Sequence, residues 1–282
     1  MDKFTTGAEL KLLAMSLDTA EDRKVFVSKP GFPDVEAKDY KGIFNLDKGD
    51  VACIASKKYA IIQMRDAFQE VAEVLTELNL GVSGKLENMG NVVRADIIFA
   101  NCKVESPKRG DIVSFGVRIV NSFDKSHSFY GELYANRLVC TNGMVLGKAV
   151  GGVTFSKWHM GKPSVRREIR QFIEDARNAN VVLKDLIDRA FEDSIEWDMT
   201  KKILGKLVHI KKYRLMVEKE LENKPEITRW ELYNAITSVA THNESLTFGV
   251  QEYLQNRAQD VLRFESPKLI AMAIEVEDDG SE

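Results

Sequence analysis

Two short stretches concentrate positive charge in a chain that is otherwise slightly acidic. Residues 157–170 carry Lys157, Lys162, Arg166, Arg167 and Arg170 against Glu168 alone. Residues 201–214 carry Lys201, Lys202, Lys206, Lys211, Lys212 and Arg214 with no acid, and residues 174–198 between them are acidic. Clustered cations of this kind neutralise backbone phosphates and release counterions. Trp158, His159 and Tyr213 are interleaved with them and have faces on which unpaired bases can stack. The competing reading is a pair of solvated helix faces whose lysines pair with the acidic helix beside them.

Other chemistries find less support. The histidines, His127, His159, His209 and His242, show no HxH, HxxxH or HExxH spacing, so no local metal site is expected. There is no GxSxG nucleophile turn. The glycines at 143, 147, 151 and 152 match neither a P-loop nor GxGxxG. Cys53, Cys102 and Cys140 are widely spaced and odd in number, which argues against a disulfide framework and for buried thiols in a reducing cytoplasm. No catalytic residue, metal or cofactor is expected.

Three further stretches belong together: NSFDKS from Asn121, NRLVCTNGM from Asn136 and TRWELYNAIT from Thr228. They resemble the phage/plasmid-like family catalogued as domain of unknown function 932, over roughly Lys48 to Leu262. Arg137, Cys140 and Asn142 fit that family's strand-end motif. Trp230, Asn234, Ala235 and Thr237 fit its helix motif, with His242 in the place of a trailing histidine. Phe123 and Lys125 depart from its hairpin, and Thr241 replaces an aspartate. The resemblance implies a viral or plasmid-borne mobile element and supplies no activity. Physically, an arginine at a strand end either binds phosphate or clamps a carboxylate. Asn234 and His242 lie about two helical turns apart and can share a face. Asn142, Trp230, Asn234 and His242 thus form either a structural polar network or a ligand site.

The elements that must position these residues follow from periodicity. Apolar residues at Leu10, Leu12, Leu13, Met15 and Leu17 predict a helix within residues 1–20. Strands are expected at Lys24–Ser28, Asp50–Ser56 and Tyr59–Gln63, and a helix over Asp66–Asn79 stopped by Gly81. Four alternating segments, Gly81–Asn88, Asn91–Cys102, Asp111–Phe123 and Ser128–Cys140, are separated by turn residues and read as an antiparallel meander. Helices are then expected at Val165–Asn178, Val181–Ile195, Met199–Asn223, Thr228–Thr241 and Leu246–Phe264.

The fold expectation is α+β: an antiparallel β-meander with packed helices, followed by a helical C-terminal half. Residues 1–163 form the strand-rich part and 164–266 the helical part, packed on the first. Residues 267–282 form a disordered acidic tail, with five acids in the last eight residues. With 282 residues and a net charge of -3, binding to nucleic acid must rest on local patches. No apolar run is long enough to span a bilayer.

The helix, meander and basic helix also echo ring-forming single-strand annealing proteins in element order. The functional expectation is a cytoplasmic, homo-oligomeric single-stranded DNA-binding and annealing protein of recombination or replication. Arg137, Trp158 and both basic stretches would lie on the nucleic acid, and the acidic tail would recruit a host or replication protein. The alternatives are a nucleic-acid- or nucleotide-processing enzyme using Arg137, Asn142, Asn234 and His242, and a structural or host-protein-binding viral protein.

Overall fold

The computed structural model describes residues 2–108, 110–137, 143–160, 166–221, 224–243 and 245–274. The first elements are β1 (Asp2–Phe4), α1 (Gly7–Met15), β2 (Ala20–Val27), β3 (Val35–Asn45), β4 (Asp50–Ser56) and α2 (Met64–Glu77). The meander follows as β5 (Val82–Asn88), β6 (Val92–Glu105), β7 (Ile112–Ser122) and β8 (Phe129–Arg137), with β9 (Gly143–Val145) and β10 (Thr154–Lys157) after it. The remainder is α3 (Arg166–Arg177), α4 (Asn180–Glu192), β11 (Ser194–Glu196), α5 (Trp197–Leu207), α6 (Lys211–Glu220), β12 (Glu226–Thr228), α7 (Arg229–His242), α8 (Phe248–Arg263) and α9 (Ser266–Ile274). The class is α+β with antiparallel sheets and a helical C-terminal half. No helix among the described residues is long and apolar enough to cross a membrane.

The chain forms two compact units. One comprises Met1–Asn101, Gly116–Glu132 and Thr154–Arg177; the other comprises Cys102–Phe115, Leu133–Val153 and Asn178–Glu282. The divisions fall inside β6, β7 and β8, at the start of β10 and after α3; Pro163 lies outside the described residues.

One sheet has β1, β5, β6, β7, β8 and β10 as neighbours in that order, with β9 paired to β8. Helix α2 turns Ala67, Phe68, Val71, Ala72 and Leu75 inward at helical spacing. Helix α1 lies close against it: a Cβ on Gly7 would come within 2.9 Å of the Thr76 hydroxyl. Between β6 and β7 the guanidinium of Arg118 grips the buried Asp96 with two hydrogen bonds, of 2.6 and 2.9 Å. Burial opposes ionisation of Asp96. The charge of Arg118 and its hydrogen bonds, joined by the charges of Arg94 and Lys85, outweigh that penalty and hold its pKa below the usual carboxylate range.

A separate three-stranded sheet, β2-β3-β4, exposes Phe26, Val27, Val35, Tyr40, Val51 and Ile54.

In the second unit, α7 carries the most buried face: Trp230, Tyr233 and Ile236 are almost wholly enclosed. Its start is fixed by a capping box in which Thr228 and Glu231 satisfy each other's backbone amides. Arg229, 3% exposed, bonds to Asp193 at 2.6 Å and donates to the Phe264 carbonyl at 2.9 Å, satisfying the end of α8.

Several expectations need correction. Tyr59–Gln63 is not a strand; Tyr59 makes an isolated bridge to Met160, and Gln63 turns its amide onto the backbone of Ala20. Helix α2 ends through Asn79 in the left-handed region, φ 49°, before Gly81 is reached. Residues 35–45, which gave no strand signal, form the central strand of a sheet. Residues 267–274, expected within the tail, are helical and bury Leu269 and Ala273, and the rest of the expected tail lies outside the described residues. The long helix expected over 199–223 is two helices. Val208 leaves helical geometry with ψ 86°, and the chain turns through His209 and Ile210 before α6 starts.

Asp96→Asn should lower stability by about 3–5 kcal/mol at pH 7, because it removes the buried carboxylate that accepts two hydrogen bonds from the Arg118 guanidinium. A carboxylate with a depressed folded pKa stabilises above its unfolded value of about 4 and loses that effect as pH falls through the folded value. Urea unfolding should therefore show the gap between wild type and variant closing in acid.

Candidate functional site

The two basic stretches have different fates. In the first unit Arg166 faces α2 and pairs with Glu70, Glu73 and Glu77. Arg170 joins Glu77 and Glu174, and Lys157 joins Glu168 at 3.3 Å. These three cations are thus tied to carboxylates, mostly on a helix some 90 positions earlier. Arg167 remains exposed, and Trp158 is 75% exposed. His159 is buried against Tyr59 with ring centroids 4.8 Å apart, so its face is already used. Burial lowers its pKa, against a weaker opposing bond to the Ala60 carbonyl. Lys162 lies outside the described residues.

The second stretch lies at the corner between α5 and α6. The acids of α4 do not neutralise it, because they pair within their own helix: Asp188 with Lys184, and Asp185 with Arg189. Lys201 pairs with Asp198 and Arg214 more loosely with Glu218 at 3.8 Å. Lys202 is exposed. Lys206, Lys211 and Lys212 have no carboxylate within ion-pair distance among the described residues. Lys211 and Lys212 open α6, whose first turn holds no acid and has no side-chain cap. The helix dipole already favours an anion there, and the lysines reinforce it. Tyr253 of α8 braces the bend, accepting from the His209 amide at 3.1 Å and donating to the Leu207 carbonyl at 3.3 Å. Ile210 is exposed and Tyr213 half-buried beside these charges.

The motif residues converge in part. The turn between β6 and β7 is tied by Ser106, whose hydroxyl reaches the Asp111 carboxylate at 3.0 Å. Asp111 accepts two bonds from Arg137 Nε, at 2.7 and 2.9 Å, and pairs with Nη2 at 2.7 Å. Of the two roles open to Arg137, its Nε and Nη2 take the carboxylate clamp. Its Nη1 reaches Asn234 Oδ1 at 3.5 Å, and Asn234 Nδ2 donates to the Trp230 carbonyl at 2.7 Å. Trp230 stacks on Tyr233 and meets Phe191 in a tilted contact. Together Arg137, Trp230 and Asn234 line a cavity of about 230 Å³ with Lys108 and Glu220.

His242 is not in this cavity. It lines a second one with Met216 and Lys219, and Glu220 and Ser238 border both. Cys140 and Asn142 lie outside the described residues. Lys108, Asp111 and Glu220 were missed by sequence reasoning. The expected strand limits at Cys102 and Asp111 were the local sign that Lys108 and Asp111 would sit near a strand tip.

A family model described as Domain of unknown function (DUF932) matches residues 53–266. No curated protein and no solved structure matches the chain.

Arg137→Met should lower stability by about 3–5 kcal/mol, since Asp111 is left buried and unpaired. The double variant with Asp111→Asn should recover part of that loss. A double-mutant cycle in urea checks this, with a coupling of at least about 1.5 kcal/mol expected.

Proposed function

The chain belongs to the domain of unknown function 932 family, and within it we propose a nucleic-acid-binding protein that prefers single strands and acts in annealing during recombination or replication of a mobile element. The observation that carries this reading is the α5–α6 corner. Three lysines without carboxylate partners among the described residues gather at an uncapped helix start, braced from behind by Tyr253. Such a site neutralises phosphates without first breaking internal ion pairs. Tyr213 beside it, and the exposed Trp158 with Arg167 in the other unit, have the aromatic and cationic character that sequence-tolerant single-strand binding uses. The open edges and exposed apolar side chains of β2-β3-β4 support self-association of the chain. The acidic C-terminal residues are the proposed contact for a host or replication protein.

Fluorescence anisotropy of a labelled oligothymidylate over a salt series tests the reading. Binding should weaken with a log–log slope of about -0.7 per phosphate engaged. The Lys206→Gln, Lys211→Gln, Lys212→Gln triple variant should flatten that slope by about 2 while circular dichroism stays unchanged. Trp158→Ala should cost about 1–3 kcal/mol of binding if a base stacks there. Absence of binding at low salt, or an unchanged slope in the triple variant, overturns the proposal.

A further inference from the structure

The charges around the Arg137–Trp230 cavity do not all cancel. Glu231 is satisfied, because the Thr228 amide and hydroxyl occupy Oε2 and Lys224 reaches Oε1 at 2.9 Å. Arg137 is neutralised by Asp111. Lys108 and Glu220 remain. Both are exposed, both line the cavity, and neither has an oppositely charged side chain within 4 Å among the described residues. Glu220 receives only a long bond from the Ser238 hydroxyl at 3.4 Å. On the wall between α7 and α4, Trp230 is 1% exposed and its indole N–H has no hydrogen-bond partner. The cavity thus offers an unpaired cation and an unpaired carboxylate beside aromatic rings.

We propose that this cavity takes one unpaired nucleobase and that it selects guanine. The proposal rests on the nucleic-acid reading above and deepens it. Guanine alone among the bases presents two adjacent donors, N1–H and N2–H, that a carboxylate such as Glu220 can accept side by side. Its neighbouring O6 is an acceptor, and O6 with N7 is the edge that lysine reads. Adenine would bring its amino group against the donors, thymine has one ring N–H flanked by acceptors, and cytosine sets an acceptor beside its single amino group. A cavity of about 230 Å³ is on the scale of a base and is below the range of about 300 Å³ and upward usual for drug-sized ligands. Single-stranded bases are read in this manner, splayed out and bonded along their edges against aromatic side chains.

The connection to the basic corner is direct. Helix α6 has its cationic start at Lys211 and its last residue, Glu220, at the cavity. Ten residues at 1.5 Å each place the two ends about 15 Å apart. A strand held by its phosphates at the corner can therefore set a base a few nucleotides away into the cavity.

The test uses the full chain and two sets of probes. Oligothymidylate carrying one central guanine, adenine or cytosine is compared by anisotropy, and the free monophosphates of guanosine, adenosine and cytidine are compared by calorimetry. Guanine should be preferred about tenfold in both sets, and Glu220→Gln and Lys108→Gln, both surface changes, should each remove most of that preference. If all oligonucleotides bind equally, or if Glu220→Gln leaves the preference intact, the guanine assignment falls while the strand-binding reading stands. Guanosine monophosphate binding without any oligonucleotide binding would do the opposite, overturning the strand-binding reading and leaving the cavity's preference for guanine in place.

Discussion

The pairing of Asp111 with Arg137 is the interaction on which the organisation of the second unit's site depends. A carboxylate that is 1% exposed must be matched by a charge and by hydrogen bonds, or it destabilises the fold by several kcal/mol. Arg137 meets that need from the end of β8, and the geometry it must adopt to do so brings its other nitrogen to Asn234 on α7. One ion pair thus fixes a hairpin tip, a strand end and a buried helix with respect to one another. Lys108, three positions before Asp111 in the same turn, and Trp230, one turn before Asn234, take their places as a consequence. The cavity is a product of this constraint, and its lining reflects which side chains the constraint leaves without partners.

The same principle sorts the cations elsewhere. Both basic stretches look equivalent as strings of residues, yet α2 sets Glu70, Glu73 and Glu77 on the face that meets Arg166 and Arg170. The corner between α5 and α6 meets no such face among the described residues. The acids of α4, which come between the two stretches in the chain, are held by Lys184 and Arg189 four positions away, the ordinary spacing of helix-surface pairs. Exposed pairs of this kind contribute little to stability. Their effect here is on where uncompensated charge remains, and it remains on Lys206, Lys211 and Lys212.

The parts of this arrangement that could be read from the sequence are those governed by local rules. Strands β5 to β8 follow from alternation and from turn residues such as Gly90 and Gly110, both with positive φ. The start of α7 follows from Thr228 and Glu231 at capping-box spacing. Asn234 and Arg137 were both picked out, and they do meet. What escaped is non-local. Strand β3 has little apolar alternation, because its sheet is exposed at Val35 and Tyr40, and pairing with β2 and β4 stabilises it instead. The bend at Val208–Ile210 interrupts residues that keep helical spacing on both sides, so periodicity alone runs through it. Asp111 lies 26 positions from the arginine it holds, and nothing in its neighbourhood marks it as that partner.

If nucleic acid meets this chain at the α5–α6 corner, the backbone there must be shielded when a strand binds. Hydrogen–deuterium exchange of the protein with and without a saturating oligothymidylate tests that most directly. Slower exchange concentrated in residues 206–214, with the start of α6 protected most, is the predicted result. Saturation of the oligonucleotide with exchange at 206–214 unchanged would contradict it.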